Sequence, residues 1–487
     1  MFIAYCFKLK PNTIQAKEMS NWLFMLRANY NFNLRDRIEA YEQKSKPELG
    51  DYSRLDNQGE CCPLTCSVSK SATNGYPWKN NGKKRNAYEQ QSSALPVLKK
   101  ERAWYQKINS TVLQQNLKRL HAAFDKFFQG NGYPKFKTRS KFKSFSYSPG
   151  QVKITKNTVY LPGIGWMKYF NSRNISTGFE IKTVTIRRKA DGWHISLRLE
   201  DKTIPDVSKI ELAQVKTALG ADLGINKLIS LSNNEIIDNP RFVTQLERRK
   251  NIHQRRASRK KKGSRNRSKA DQYLAKIDLK IVNQRQDCHW KIANKLCREA
   301  EVLVFENLNI KGLLKRCQPK KDSQNGKYLK NGQSAKRALS RLISDAAWGE
   351  LKLKVKSVAE KLGRHYVEID PRNSSRECHK CGHIAKENRN KERFFCLECN
   401  HLEDSDTQAA KIILSRGLKQ LGINPNQLPM VHRKVRTVLQ AGFPPKVTVR
   451  TATEISLGLP NEHSNPGKIE QLSLFDSSLW SVDSAMN

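Results

Sequence analysis

The stretch CHKCGHIAKENRNKERFFCLECNHLEDSDTQAA, residues 378–410, contains two Cys-x-x-Cys pairs and runs into a helical pattern. The pairs are Cys378 with Cys381 and Cys396 with Cys399, a spacing typical of a tetrahedral four-thiolate zinc ribbon. A site closed by four thiolates is structural, because no position stays open for water or substrate. A redox motif would need one pair beside a thioredoxin-like unit. The sequence therefore predicts structural Zn²⁺, with the neighbouring histidines as bystanders.

Asp406 stands directly before the apolar run TQAAKIIL and has two interpretations. It could cap a helix, or it could belong to an active site whose other carboxylates lie upstream. Asp222 lies inside VKTALGADLGINKLISLS and Glu306 ends the strand-like run EVLVFE, where burying a carboxylate is costly. Clustered acids in a basic protein would repel phosphate unless divalent cations bridge them. The three residues therefore predict a catalytic Mg²⁺ site for two-metal phosphodiester cleavage.

Composition indicates a partner that carries many negative charges. The chain has 487 residues, a net charge of +44, a pI near 10.0 and a mean hydropathy of -0.70, which favours a multidomain polyanion binder. No stretch approaches the roughly 20 apolar residues of a membrane span. The opening MFIAYCFKLK lacks the features of a signal peptide and alternates like an edge strand. A cytoplasmic, reducing location without membrane contact follows, in which Cys-x-x-Cys pairs bind metal.

Two basic stretches are candidates for the nucleic-acid interface. In GYPKFKTRSKFKSFSYSPG, cations interleave with rings, so a strand there would carry charge on one face and aromatic side chains on the other. A solvated face of a half-buried strand would give the same pattern. The second stretch is the basic helical region around residues 248–262. The candidate contacts are Lys135, Lys137, Arg139, Lys141, Lys143, Phe145, Tyr147, Arg248, Arg249, Arg255, Arg256, Lys260, Lys261 and Lys262.

The remaining pattern gives the fold class. Helical periodicity marks residues 12–43 and 110–129, and short alternating runs over 150–200 predict a small antiparallel β-barrel. Strands alternating with helices after residue 215 predict an α/β domain. The polar segment 47–86 is interpreted as a loop with free thiols, and 421–487 as a disordered tail.

These motifs together resemble the TnpB family of transposon-encoded RNA-guided DNA endonucleases, ancestors of type V CRISPR effectors. The resemblance rests on GADLGINKLISLS, VLVFENLNI, the cysteine ribbon and DSDTQAAKI, with support from STVLQQNLKRLHAAFDKFF, and covers roughly residues 1–417. It implies a multidomain α+β chain in which a wedge barrel carries a helical recognition insertion and an RNase H-like RuvC domain carries a zinc-ribbon insertion. The implied segments are 1–12 and 130–213 (wedge), 13–129 (recognition), 214–370 and 402–420 (RuvC), and 371–401 (ribbon).

The resemblance also implies partners and departures. A guide RNA and target double-stranded and single-stranded DNA would bind a chain that is monomeric in complex with RNA, in a prokaryotic cytoplasm near the nucleoid. A motif flanking the target would be contacted by the start of the 110–128 helix, for which the candidates are Asn109, Thr111, Gln114 and Gln115. Gln408 stands where the family pattern Asp-x-Asn-Ala has Asn.

Three alternatives stay open at this point. The chain could be a compact type V CRISPR effector, an RNA-guided binder that does not cut, or a DNA-cutting transposase. The retained carboxylates argue against the binder, and the extent of basic surface argues against a simple strand-transfer enzyme.

Overall fold

The computed structural model describes residues 2–45, 86–175, 178–201, 209–424 and 449–451. The predicted loop at 47–86, apart from Asn86, and most of the predicted tail lie outside these residues. One short strand, Val449–Thr451, does fall within that tail. No helix of the described ranges is long and apolar enough to cross a bilayer.

The chain divides into two compact units, each continuous in space but not in sequence. Unit 1 comprises residues 1–209, 242–287 and 360–363, and unit 2 comprises 210–241, 288–359 and 364–487. Residues 242–287 thus group with unit 1, whereas the sequence prediction assigned them to the nuclease domain.

Unit 1 is built on an antiparallel sheet of seven strands, paired in the order β2-β6-β7-β1-β5-β4-β3. The strands are β1 (Phe2–Lys10), β2 (Ser144–Tyr147), β3 (Lys153–Ile154), β4 (Thr158–Leu161), β5 (Gly165–Tyr169), β6 (Phe179–Lys189) and β7 (Gly192–Asp201). Within the described pairings, β2 and β3 are the two edges and do not pair with each other. The described strands form an open sheet, so the predicted small antiparallel β-barrel is not closed.

The prediction of β1 as an edge strand is wrong. β1 pairs with β7 over residues 2–8 and with β5 through Leu9 and Lys10. Phe7 and Leu9 are buried on one face of the strand. Alternating burial of this kind reports which face meets the core, and it carries no information on how many neighbours the backbone has.

The helices of unit 1 cover one side of its core. Trp22, Leu26 and Tyr30 of α1 pack with Leu113 and Leu117 of α4, all almost fully buried, which confirms both predicted helices. The helices are α1 (Thr13–Ser45), α2 (Ala87–Ser93), α3 (Leu95–Glu101), α4 (Ser110–Phe128), α5 (Phe242–Ser258) and α6 (Arg265–Glu299), whose residues from Cys288 onward belong to unit 2.

Unit 2 is built on a mixed sheet in the order β14-β11-β8-β9-β10-β18. Its strands are β8 (Ala218–Leu223), β9 (Lys227–Leu231), β10 (Glu235–Asp238), β11 (Val302–Glu306), β14 (His365–Ile369) and β18 (Val449–Thr451). β11 runs parallel to β14 and β8, while β9 and β10 are antiparallel to their neighbours. The predicted strand-turn-strand around Asp222 and the predicted strand that ends in Glu306 are therefore confirmed, and the chain is a mixed α+β protein.

Smaller elements surround this sheet. Three short strands form a sheet of their own between β14 and the last helix, within the segment that holds the four cysteines. These elements are α7 (Ile310–Leu314), β12 (Lys320–Lys321), β13 (Tyr328–Leu329), α8 (Gln333–Ala346), α9 (Trp348–Lys361), β15 (Arg389–Asn390), β16 (Arg393–Phe395), β17 (Leu402–Asp404) and α10 (Ser405–Gln420).

Two glycines let α10 lie directly against the sheet. A Cβ at Gly220 of β8 would collide with the backbone carbonyl of Ala410 and lie 2.8 Å from the Leu414 nitrogen. A Cβ at Gly417 would collide with the Val304 side chain of β11. Helix α10 therefore approaches the backbone of β8 at Gly220 and packs its own backbone on the Val304 side chain of β11 at Gly417. These two contacts fix the distance of α10 from the sheet.

We expect Gly220→Ala to destabilise unit 2 by about 1–3 kcal/mol, because the added methyl must push α10 away from β8. The midpoint of thermal unfolding should fall by several degrees. Gly132→Ala is the control, since a Cβ there has no neighbour within 4 Å. Equal midpoints for the two variants would contradict the close approach.

Candidate metal centre and nucleic-acid interface

Sheet register places two of the three predicted carboxylates on neighbouring strands. The parallel pairing of β8 and β11 sets Phe305 opposite Ala221, so Glu306 and Asp222 follow as the next residues of strands about 4.8 Å apart. Asp406 is the second residue of α10, the helix that lies against Gly220. The fold thus brings together side chains far apart in sequence.

The electrostatics of the cluster agree with this placement. Asp222 is half-buried, and burial together with repulsion from Glu306 and Asp406 raises its pKa to about 8, against an opposing effect of Arg389. Burial also raises the pKa of Glu306, which is 6% exposed and accepts a 2.5 Å hydrogen bond from the Ser374 hydroxyl. Carboxylates held where negative charge is unfavourable fit a hard divalent cation such as Mg²⁺, which prefers oxygen ligands.

Two cations complete the cluster, and sequence reasoning missed both. Lys227 Nζ lies 2.6 Å from Asp404 Oδ2 and 3.4 Å from Asp406 Oδ2, and Arg389 contacts Asp406 Oδ1 at 3.4 Å. Lys227 begins β9 and is only 8% exposed. In the sequence, a single lysine at the start of an apolar run was the one sign that could have indicated this residue. Arg389 begins the short strand β15 within the cysteine segment, where the sequence has no periodicity that distinguishes it.

Asp404, rather than Asp406, caps the last helix. Its side chain accepts hydrogen bonds from the backbone nitrogens of Asp406 and Thr407, at 3.2 and 3.1 Å. The alternative interpretation of Asp406 as the cap is therefore wrong. The Asp406 side chain, which does not cap the helix, contacts Lys227 and Arg389.

The four cysteines form one cluster. All four Sγ atoms lie within 4.8 Å of one another, with 3.6 Å between Cys378 and Cys399 and 3.5 Å between Cys381 and Cys396. Tetrahedral Zn–S bonds of about 2.3 Å would separate the sulfurs by about 3.8 Å, so the donor set fits Zn²⁺.

The two Cys-x-x-Cys turns have matching backbone geometry. The Cys378 nitrogen donates to the His383 carbonyl and the Cys396 nitrogen to the His401 carbonyl, both at 2.9 Å. Phe394 of β16 is fully buried beside Cys378 and Cys396, which gives the segment a small core of its own. The cluster fits the predicted ribbon.

His379 and His401, which the sequence analysis set aside as zinc ligands, make polar contacts outside the cysteine cluster. The His401 ring nitrogen Nε2 lies 3.1 Å from Glu403 Oε2, and Lys411 of α10 pairs with the same carboxylate. His379 Nδ1 hydrogen-bonds Gln408 Oε1. The first cysteine turn and α10 are therefore linked by a largely half-buried polar network.

Gln408, the departure from the family pattern, belongs to this network. It is fully buried, and its Nε2 donates to the Glu377 carbonyl at 2.8 Å while its Oε1 meets His379. An asparagine, one methylene shorter, would not span both partners in this arrangement. Gln408 is a structural link between the ribbon and the helix that carries Asp406.

The first basic stretch differs from its predicted form. Residues 135–143 are irregular and only Ser144–Tyr147 forms a strand, because Pro134 removes a backbone donor and a turn follows at 138–141. The charged side chains nevertheless face solvent: Lys135, Arg139, Lys141 and Lys143 are exposed, and Lys137 is half-buried.

Phe145 and Tyr147 are core residues, so the prediction that they contact nucleic acid is wrong. They are 3% and 0% exposed and pack against Trp22, with ring centroids at 5.6 and 6.4 Å. The Tyr147 hydroxyl donates to the Pro162 carbonyl at 3.1 Å, and burial raises its pKa far above the usual value. The alternation in this strand marked an inner face rather than a stacking platform.

The candidate side chains of the second basic stretch are all exposed. Four of its candidates lie on α5, and the three lysines occupy the turn between α5 and α6. These side chains are Arg248, Arg249, Arg255, Arg256, Lys260, Lys261 and Lys262, all at the surface of unit 1.

The candidates for contact with a flanking motif have structural roles as well. Asn109 caps α4, its Oδ1 accepting from the nitrogen and hydroxyl of Thr111 at 2.9 and 2.7 Å. Gln115 Nε2 donates to the Ser148 hydroxyl at 2.9 Å, and Gln114 is half-buried one residue earlier. The Asn109 side chain thus serves as the N-cap of α4.

A basic chain with clustered carboxylates on a mixed sheet and a four-cysteine insertion defines a class of proteins that process nucleic acids. Three family models match it: a probable transposase over residues 194–317, a Cas12f1-like TNB domain over 348–413 and a helix-turn-helix domain over 1–46.

Curated relatives identify the family within that class. A protein from Streptomyces pristinaespiralis named an RNA-guided DNA endonuclease is 34% identical, over 69% of this chain and 79% of the relative. InsQ of Escherichia coli K12, named likewise, is 30% identical over 65% of this chain and 77% of its own. A solved Cas12f1 complex with guide RNA and target DNA aligns over 82% of this chain and 83% of its own, with 13% identity and a TM-score of 0.46. The chain belongs to the TnpB family.

We expect Cys396→Ser to lose zinc and to lower the midpoint of thermal unfolding, because a structural site adds its binding free energy to folding. Metal analysis of purified protein should find about one zinc per wild-type chain and none in the variant. Cys6→Ser, which alters an exposed cysteine of β1, is the control and should keep its metal. A wild-type chain purified without zinc would rule out the assignment.

Proposed function

We propose that this chain is an RNA-guided DNA endonuclease of a transposable element, which cleaves target DNA beside a short flanking motif. The observation that carries the proposal is the clustering of Asp222, Glu306 and Asp406, which come from two strands and a helix. Burial of Asp222, together with repulsion from the other two carboxylates, raises its pKa to about 8. The names of the curated relatives support the same activity.

In this proposal the three carboxylates hold Mg²⁺. When bound, the ions would supply an activated water and stabilise the leaving oxygen of a phosphodiester. Ser374 orients Glu306 through its 2.5 Å hydrogen bond. Lys352 restrains the end of β11, since its Nζ donates to the Glu306 carbonyl and to Glu368 Oε2, both at 2.8 Å. The chain thereby fixes Glu306 at both its backbone and its carboxylate.

Lys227 and Arg389 moderate the charge of the metal-free cluster. Both contact Asp406, and Arg389 also lowers the pKa of Asp222 and Glu306. Because Arg389 comes from the ribbon, we propose that Zn²⁺ serves catalysis indirectly, by holding the segment that delivers a cation and the start of α10.

Unit 1 would hold the guide RNA and the heteroduplex through exposed cations, while base pairing selects the target. We retain the proposed wedge and recognition assignments for residues 1–213 and the RuvC assignment for unit 2, and add α5 and the adjoining lysine turn to the RNA-binding surface. A compact type V CRISPR effector is the second candidate, favoured by the Cas12f1-like match over 348–413.

Replacing Asp222, Glu306 or Asp406 with Ala should slow cleavage of a guide-matched plasmid more than about a hundredfold. Mutating residues that only hydrogen-bond to metal ligands already lowers metal affinity or activity by about 10- to 100-fold. Guided DNA binding should persist, because removing a carboxylate lowers repulsion of phosphate. Glu360→Ala, at an exposed end of α9, is the control. Cleavage at the wild-type rate by Asp222→Ala would disprove the site.

Variants of the basic residues and variants of the two glutamines should have different effects, the first on RNA affinity and the second on the choice of flanking motif. Neutralising Lys135, Lys137 and Lys143 together should weaken RNA binding uniformly and reduce its logarithmic salt slope by about two. Changing Gln114 or Gln115 to Ala should instead alter which flanking motifs are accepted, because an amide can bind adenine at two points.

A flanking-motif depletion screen would measure the second effect, and titrations of RNA at several salt concentrations the first. Gln129→Ala, at the opposite end of α4, is the matched amide control. An unchanged motif preference in both glutamine variants would place motif recognition elsewhere.

A further inference from the structure

Unit 1 contains a cleft whose walls come from α1, the segment before β2, the end of β6 and α6. Its volume is about 460 Å³, within the range of pockets that hold small ligands. Five cations line it: Arg27, Arg139, Lys143, Arg188 and Lys189. Among the residues that the structure describes, no carboxylate lines the cleft to neutralise these cations, so the cleft attracts anions.

One lining side chain has an unmet hydrogen-bonding need. Arg27 Nε is buried and has no hydrogen-bond partner in the described parts of the chain. A buried N–H without an acceptor is costly and uncommon. An anion bound in the cleft would lower the electrostatic cost of this guanidinium, which lines it.

An exposed aromatic ring lies beside that arginine. Phe24 projects from α1 with 54% of its surface exposed, and the Arg27 guanidinium lies 5.2 Å from its ring centroid. The guanidinium covers one face of the ring. The exposed surface of Phe24 offers a flat apolar contact next to the cations, which a simple anion would not use.

The rim of the cleft is fixed by backbone contacts. The Arg188 nitrogen donates to the Lys143 carbonyl at 2.8 Å, extending the pairing of β2 with β6. Phe142 lines the cleft and is only 5% exposed, so it belongs to the core beneath. Charges on a fixed rim are positioned before a ligand arrives.

We propose that this cleft binds one unpaired nucleotide, with its base stacked on Phe24 and its phosphate held by Arg27, Arg139 and Lys143. Stacking of a base on an aromatic ring beside cations is the common chemistry of single-strand binding, and it tolerates any base. Taking the guide RNA as the source rests on the proposed function, and a displaced DNA strand is the other source.

The test compares binding of three fluorescent probes to the full chain without added Mg²⁺: oligouridylate, oligothymidylate and an RNA hairpin with no unpaired base. Phe24→Ala should weaken binding of a single strand by about tenfold, since a stacked base contributes roughly 5- to 100-fold. Phe24→Trp should retain binding. The hairpin should be unaffected by either change.

Arg27→Gln should weaken the same probe and lower the salt slope by about 0.7, the contribution of one phosphate on a single strand. Phe32→Ala and Arg35→Gln are matched controls, because both residues are exposed on α1 and outside the cleft lining. Photocrosslinking of 5-iodouridine RNA should label Phe24 in the wild-type chain.

The outcomes are separable. Selective loss with oligouridylate assigns the nucleotide to RNA, and selective loss with oligothymidylate assigns it to DNA. The proposed nucleotide site would be wrong if Phe24→Ala and Arg27→Gln weakened binding of the hairpin as much as binding of a single strand, or if neither change weakened binding of a single strand. Either result would leave the proposed function standing, provided that the wild-type chain cuts guided DNA. If the wild-type chain binds single strands through Phe24 but does not cut guided DNA, the proposed function fails and the cleft stands.

Discussion

The parallel pairing of β8 with β11 is the constraint on which the candidate site depends. It sets Asp222 beside Glu306 without any contribution from their own side chains, because backbone hydrogen bonds fix the register. A shift of one residue would turn one carboxylate to the opposite face of the sheet. The backbone pairing of the two strands and the burial of their apolar residues therefore offset the repulsion between the two carboxylates.

The third carboxylate depends on contacts of a different kind. Asp406 is carried by α10, whose depth is set by Gly220 and Gly417. The helix is tied to the cysteine segment through Gln408 in its first turn and to Glu403 of β17 through Lys411 in its second. The place of Asp406 results from steric fit and a side-chain network rather than from register. This division explains how a short insertion rich in cysteine can influence a site to which its cysteines contribute no ligand.

The sequence predicted what depends on local pattern and spacing. The helices at 13–45 and 110–128, the strands around Asp222 and Glu306, and the four-cysteine cluster all follow from periodicity or fixed intervals. The sequence could not predict features that depend on which elements lie next to a strand or a side chain in the folded chain. The alternation in β1 does not reveal that it is a central strand, and the rings at 145 and 147 alternate in the same way whether they meet a core or a nucleic acid. Arg389 became visible only when the fold placed it beside Asp406.

The order of the carboxylates along the chain has a consequence for protein synthesis. Asp222 and Glu306 leave the ribosome well before the cysteine segment and Asp406. Throughout that interval the growing chain already presents the basic surfaces of unit 1 but lacks the last member of the carboxylate cluster. A chain terminated early would keep those basic residues but lack Asp406, so it would carry an incomplete carboxylate cluster.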